Sequence, residues 1–435
     1  MPSIEVKNSR ERTTIGPKRK VALVCSGGAA KAGAFHLGVA LALQEQGFRF
    51  YGGLVPSTNT PKMPGPMEIS TYVGSSAGSI ICAFLAAGYS LENIFSSVLS
   101  RKSNGDEIQT NTGSRPLGRL TYQKMFKFKP VISPATLKNQ FSKLTNIRQI
   151  FGNLINGDIN GMSPSNWLKT TGLFSTSGIE KFLREEVLPS NKFQDYMADL
   201  FIVSTQLNHS RKVVFGKYKY KPPPHDLSCQ YDDDVGISDA CAASAAMPLV
   251  FSPYQIKHKS GKVMYYIDGE IRDTLSSHIA IDAGADLVIA SHTHQPYHFM
   301  REIGSLTDHG LSAIMVQALY LLIEQKINNH IYNKQIQRNA IDSVSQYCKK
   351  AGLSQEHRKR ICEILELELH HHMDVDTIYI HPDPNDTHMF FGEHFTLSPK
   401  KMSEYVKSGF RAAIRILGKY KFTDKPSGPV VGIAS

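Results

Sequence analysis

Val21-Ala-Leu-Val-Cys25 runs into Ser26-Gly-Gly-Ala-Ala-Lys-Ala-Gly33, and Phe35-His-Leu-Gly-Val-Ala-Leu-Ala-Leu-Gln-Glu-Gln46 follows before Gly47. Five consecutive apolar residues read as a buried strand, and the apolar spacing after the glycines reads as a helix that stops at Gly47. Strand, glycine turn and helix make the opening of an α/β unit. The unit recurs after a Pro- and Gly-rich loop, Gly52 to Pro66, with a strand over Ile69–Val73. Gly74-Ser75-Ser76-Ala77-Gly78 ends that strand, and a small-residue helix runs on to Gly88.

Working outward, strands are expected at Leu200–Gln206, Lys212–Phe215, Val263–Ile267, Asp286–Ser291 and Thr377–His381. Helices are expected at Thr176–Val187, Ser238–Ala246 and Ser277–Ala283, from Leu311 to about Leu369 with a break near Gly352, and at Ser398–Leu417. This alternation predicts an α/β fold, a three-layer sandwich with a mostly parallel central sheet and helices on both faces. Residues 1–20 read as a polar basic leader, 21–420 as one α/β domain and 421–435 as a tail. Residues 101–170 interrupt the pattern and read as a basic insertion or lid.

The 435 residues are 41% hydrophobic and 20% charged, which excludes a wholly disordered or fibrous chain. No stretch approaches the roughly 18–20 apolar residues of a membrane-spanning helix. The first twenty residues are basic without an apolar region behind them, so a cleaved signal peptide is not expected. Injection by a dedicated secretion machine would leave no such mark. Six cysteines without a CxxC pair predict neither a disulfide framework nor a cysteine zinc site, and fit a reducing compartment. A cytoplasmic or peripheral-membrane location is the expectation.

Lys and Arg number 49 against 38 Asp and Glu, a formal charge of +11. Between Arg101 and Thr170 there are eleven Lys/Arg and three Asp/Glu, so that segment alone carries +8. Its cations alternate with rings in Lys124-Met-Phe126-Lys127-Phe128-Lys129. That pattern suits an anionic phospholipid surface, with Phe126 and Phe128 entering the headgroup region and Lys124, Lys127 and Lys129 meeting phosphates. A solvated basic insertion is the plainer alternative. No nucleic-acid motif accompanies the patch, so nucleic acid is not an expected partner.

Three constellations carry chemistry. In Gly74-Ser75-Ser76-Ala77-Gly78 the glycines remove side chains from a sharp strand-to-helix turn, raising the Ser76 hydroxyl beside a helix N-terminus. In Gly27-Gly28-Ala29-Ala30-Lys31 small residues free backbone N–H groups to converge on an anion, as an oxyanion requires. A phosphate loop would need a different spacing and a Ser or Thr after the lysine, and a plain packing turn is the alternative. Asp268-Gly269 places a carboxylate at a strand's C-terminal end, where open α/β sheets gather active groups, although most Asp-Gly pairs are only turns. Among the seventeen histidines, His292, His294 and His298 are the weak metal candidates. His381, His388 and His394 could complete a conventional triad, and His370–His372 read as a solvated helix end. Trp167 has no assigned role.

Taken in order, CSGGAAKAG with FHLG, YVGSSAGSI, SDACAASAAMPLVFSP, YYIDGE and AGADLVIAS resemble the patatin-like phospholipase family. TLSPKKMSEYVKSGFRAAIRIL is similar to its last helix, so the resemblance spans about Lys20 to Gly418. It implies a Ser–Asp dyad, with Ser76 as nucleophile, Asp268 as base and Gly74 and Gly78 as the elbow glycines. Gly27, Gly28 and Ala29 match the oxyanion loop, and Lys31 the family's basic, anion-stabilising position. The implied activity is fatty-acid release from membrane glycerophospholipids through an acyl-enzyme, with no metal or organic cofactor. Bacterial members include effectors delivered into host cells and switched on by host proteins, so an activating partner is also implied. A neutral-lipid esterase and a membrane- or protein-binding module with a decayed site are the rival readings. The chain departs from the family at Ala29, by one residue inserted between Lys31 and His36, and at Glu270, Asp273, Thr274 and Ser276.

Overall fold

The computed structural model describes residues 12–57, 63–99, 117–128, 174–218, 220, 228–248 and 250–423. Most of the expected insertion, including Lys129 and Trp167, lies outside the described residues, as do residues 1–11 of the leader and 424–435 of the tail. The elements that position the site are β1 (Val21–Cys25), α1 (Ala29–Glu45), β2 (Glu68–Ser75), α2 (Ala77–Ala86), β3 (Asp199–Gln206) and β4 (Arg211–Phe215). They continue with α3 (Ile237–Ser244), β5 (Tyr254–Lys257), β6 (Val263–Asp268), α4 (Ser277–Asp282) and β7 (Leu287–Ser291). The long α5 (Gly310–Lys350), α6 (Gln355–Glu368), β8 (Asp376–Ile380) and α7 (Pro399–Leu417) complete the set.

The strands form one sheet in the order β5-β6-β3-β2-β1-β7-β8, with β4 also paired to β3. From β3 to β8 every neighbour is parallel, whereas β4, β5 and β6 join antiparallel at the other side. This is the mostly parallel, helix-covered α/β sandwich expected. All five residues of β1 and all five of β7 are buried, as strands covered on both faces must be. Alternate residues divide between two cores. Val21, Leu23 and Cys25 pack with α1, α2 and α7, while Ala22 and Val24 pack with Leu275, Ile279 and Ala280 on the other face.

Differences from the sequence reading concentrate at edges. Arg49–Phe50 pairs with β2, and Cys229–Asp232 pairs with β4. These pieces and β5 are too short or too mixed in polarity to announce themselves by periodicity. Thr13–Ile15, inside the expected leader, pairs in parallel with Tyr420–Phe422, which ties both ends of the described chain together. The helix after the first glycine turn begins at Ala29 rather than Phe35.

Register brings the C-terminal edge of the parallel strands into line. Cys25 of β1 is level with Gly74 of β2 and with Ser291 of β7. Strand β3 pairs with β2 through Ser75–Val203, then exchanges that neighbour for β6 at Ser204–Asp268. The end of β2 and the end of β6 therefore meet head to head across one residue step of β3.

Candidate active site

Ser76 occupies that meeting point. Its φ of 51° and ψ of −125° lie in a region non-glycine residues seldom adopt, at a cost of about 1–3 kcal/mol. Tertiary contacts hold it there. Its N–H donates to Ser244 Oγ at 2.8 Å, and the Ser79 N–H and hydroxyl donate to its carbonyl at 3.0 and 2.6 Å. Glycine is required on both sides for space. A Cβ on Gly74 would lie 2.5 Å from Ser79 Cα, and one on Gly78 would collide with the Cys25 and Ser26 carbonyls. Ser76 is itself the N-cap of α2, so the helix dipole favours negative charge developing at its oxygen.

The Ser76 hydroxyl lies close enough to the Asp268 carboxylate to favour its charged form. Asp268 is 4% exposed, its N–H donates to the Ala246 carbonyl at 3.0 Å, and its Oδ1 accepts the Glu270 N–H at 3.0 Å. Burial raises its pKa to about 6, against the smaller lowering effects of the Ser76 and Glu270 hydrogen bonds. A carboxylate that is a poor base in water is thereby tuned toward neutral pH.

The first glycine turn lies against this pair. A Cβ on Gly27 would meet Ser76 Cβ at 2.8 Å, so the loop touches Ser76 directly. Gly28 and Ala29 both have positive φ, 124° and 60°, which turns the loop sharply into α1. The loop is braced from behind by β7 and the residues after it. Thr293 Oγ1 donates to the Gly27 carbonyl at 3.0 Å, and the Lys31 N–H donates to the His394 carbonyl at 3.1 Å. His36 bridges the Ser26 carbonyl (2.9 Å) and the Ser291 hydroxyl (2.8 Å). A carbonyl only accepts, so Nε2 carries the proton, and burial holds this imidazole neutral with a pKa of about 4.

Glu270, one of the positions where the chain departs from the family pattern, adds a second carboxyl. It is 9% exposed, its Cγ lies 2.6 Å from where a Gly27 Cβ would stand, and neither of its oxygens makes a hydrogen bond of regular geometry. Burial first, and the neighbouring Asp268 charge second, push its pKa up to about 8, while the Gly27 N–H and Ser75 act against this. At neutral pH it is therefore mostly protonated beside an ionised Asp268.

Ser76 opens into a narrow apolar cavity of about 80 Å³. Ile80, Phe84, Met125, Phe182, Met247 and Phe251 are among its walls, and no charged residue lines it among the described residues. Leu120 and Met125, from the described part of the expected insertion, belong to the wall. Phe126 corrects the membrane expectation. It is 5% exposed and packs on Phe174 (5.1 Å between ring centroids), Phe251 (5.6 Å) and Phe395 (5.6 Å), because apolar burial against the body outweighs insertion into lipid. Lys124 is likewise engaged, its Nζ 2.6 Å from Glu186 Oε2. Lys127 is exposed, whereas the Phe128 side chain and Lys129 lie outside the described residues.

Lys31 also departs from its expected role. Its side chain is wholly buried away from the cavity, with Nζ donating to the Met389 carbonyl at 2.6 Å and lying 3.3 Å from both Tyr320 Oη and His394 Nε2. Burial lowers its pKa to about 7, with Asp386 opposing. It anchors the loop from beneath rather than facing an anion in the cavity. His394 is thus committed to Lys31 and Tyr320, and His381 stacks on His292 at 5.4 Å, so neither stands with Ser76 as a triad would need.

Serine elbow, buried partner carboxylate, glycine loop and apolar cavity form an arrangement suited to acyl transfer on lipids. A comparison with curated proteins finds no match. The patatin-like phospholipase family model matches residues 23–281, more than half of the chain. Strands β7 and β8 and helix α7 lie beyond that match yet complete the same sheet and its covering layer. With a matching lipid acyl hydrolase fold around this edge of the sheet, the chain belongs to the patatin-like phospholipase family.

Proposed function

We propose that this chain releases fatty acids from membrane glycerophospholipids through a Ser76–Asp268 dyad. The observation that carries the reading is a strained, elbow-borne serine brought by the strand register beside a buried carboxylate at the head of an apolar cavity. Asp268 takes the Ser76 proton as Oγ attacks the ester carbonyl carbon. The oxyanion so formed is met by N–H groups of the Gly27-Gly28-Ala29 loop and by the start of α2. Collapse breaks the ester bond, and the proton on Asp268 passes to the departing alkoxide, leaving an acyl-Ser76 enzyme. Water then gives its proton to Asp268, attacks the acyl carbon, and releases the fatty acid while the proton returns to Ser76. The acyl chain would lie between Ile80, Phe84, Met125 and Phe182.

Recruitment to an anionic bilayer would come from the surface charge of the basic segment, with Arg119 and Lys127 as its exposed described cations, rather than from Phe126. The location would be cytoplasmic or peripheral-membrane, including delivery into a host cell, and an activating protein partner would act there. A neutral-lipid esterase is the second reading, favoured by the absence, among the described residues, of any cation in the cavity wall to meet a phosphate.

The test measures free fatty acid from mixed anionic and zwitterionic liposomes and from triacylglycerol emulsions. Wild type, Ser76→Ala and Asp268→Asn are compared, with and without host-cell extract and with chelator throughout. Release from liposomes that both substitutions abolish supports the proposal. Release from emulsions alone favours the esterase, and a silent wild type that still binds vesicles favours a binding module.

A further inference from the structure

A second cavity, of about 520 Å³, opens on the face of the sheet opposite the acyl cavity. Its walls come from β4, the Arg272–Leu275 loop, α4, α5 and β8. Three permanent cations line it, Lys212, Arg272 and Lys326, against one carboxylate, Asp273. That carboxylate is already matched within the wall. Its Oδ2 lies 3.0 Å from Lys212 Nζ and accepts the Ser276 hydroxyl at 2.7 Å. Arg272 and Lys326 are thus the surplus charge, and His278 and His330 extend the basic lining. Lys326 and His330 are four residues apart on α5 and so share the face turned toward the cavity.

A second observation points to a ligand. Tyr379 lines the cavity's sheet wall, and its hydroxyl, buried behind that surface, has no hydrogen-bond partner. An orphaned buried hydroxyl is uncommon in a folded protein. Beside an excess of cations, its natural complement is an oxyanion that also engages the planar fork of Arg272. The volume falls within the roughly 300–1,000 Å³ of small-molecule sites and exceeds what one phosphate needs.

We infer that this cavity binds the phosphate of a phosphorylated small molecule, held by Arg272 and Lys326 and, as the wall side chains part around it, by the Tyr379 hydroxyl. The phosphate belongs either to a soluble phosphomonoester or to a lipid headgroup. The loop that forms one wall begins at Asp268, so the ligand would sit four residues along the chain from the proposed base. The inference goes beyond the proposed reaction and is tested on a chain that cannot perform it.

Titration calorimetry on the full-length Ser76→Ala protein would use inorganic phosphate, glycerol 3-phosphate and inositol hexakisphosphate. A parallel arm would use phosphatidylcholine vesicles with and without phosphatidic acid. Saturable one-to-one binding with a Kd below about 1 mM is expected for at least one probe. Arg272→Glu with Lys326→Glu should weaken it at least about tenfold. Tyr379→Phe, which alters no charge, should weaken it about two- to tenfold. Lys349→Glu with Lys350→Glu, an equal charge change at the exposed end of α5, should leave it unaltered. Unchanged far-ultraviolet circular dichroism and melting would show that each variant folds. A response to soluble probes identifies a free phosphomonoester, and a response only to phosphatidic acid vesicles identifies a headgroup. The inference is overturned if no probe binds saturably, if the control pair weakens binding as much as the cavity pair, or if Tyr379→Phe binds as the parent does.

Discussion

Replacing Glu270 by Gln separates the two buried carboxyls at the candidate site. Asp268 is held at about 6 by its own burial, and Glu270 at about 8 by burial and by the charge on Asp268. Between those values Asp268 is ionised and Glu270 neutral, the state in which the proposed base would work and no second charge would oppose the proposed oxyanion at Gly27. Hydrolysis should therefore follow a bell whose limbs belong to the coupled pair. At one pH unit outside either limb, about a tenth of the maximal rate remains. Gln keeps the size of the group and cannot ionise, so the alkaline limb should vanish. The acid limb should stay near pH 6, because Glu270 is neutral there and exerts no charge on Asp268. The assay is kcat/KM for a soluble aryl ester from pH 4.5 to 10, corrected for spontaneous hydrolysis. An alkaline limb that survives in Glu270→Gln, or that never appears in the parent protein, would refute the reasoning.

Asp268→Asn should abolish hydrolysis yet stabilise the fold in alkali. Folding raises this carboxyl from 3.8 to about 6, so the protonated form is favoured and its advantage is lost as pH rises through 6. About two pK units correspond to about 3 kcal/mol, which denaturant titration should find as an upper limit at pH 8 and not below pH 4. Phe126→Ala should cost about 3–5 kcal/mol in the same titration by emptying the Phe174–Phe251–Phe395 contact. Lys127→Glu should instead lower vesicle cosedimentation with melting unchanged. Gly78→Ala should lower stability by about 1–3 kcal/mol, since its methyl meets the Cys25 and Ser26 carbonyls rather than a movable side chain.

Much of the fold was legible because its signals are local. Val21–Cys25 and Leu287–Ser291 are runs of consecutive apolar residues, and only a strand covered on both faces tolerates that pattern. The GxSxG turn announces its own strain, since glycines flank a residue forced to φ 51°. The strands at Arg49–Phe50 and Cys229–Asp232 were not legible, for an edge piece of two to four residues shows no period. Phe126 was misread for a related reason. A ring among lysines looks interfacial from its neighbours in sequence, and only its neighbours in space, Phe174, Phe251 and Phe395, show it as core.

By itself, then, the sequence determined which residues are chemically able: a serine raised on a glycine elbow, a carboxylate closing a strand and a small-residue loop. These depend on backbone sterics and on residues a few positions apart. Tertiary structure alone decided how they combine. The exchange of β2 for β6 along β3 brings Ser76 to Asp268 across nearly two hundred residues. The same folding buries Glu270 on Gly27 and turns Lys31 away beneath the loop. Burial, and with it each shifted pKa, is a property of the assembled surroundings, and no local pattern encodes it.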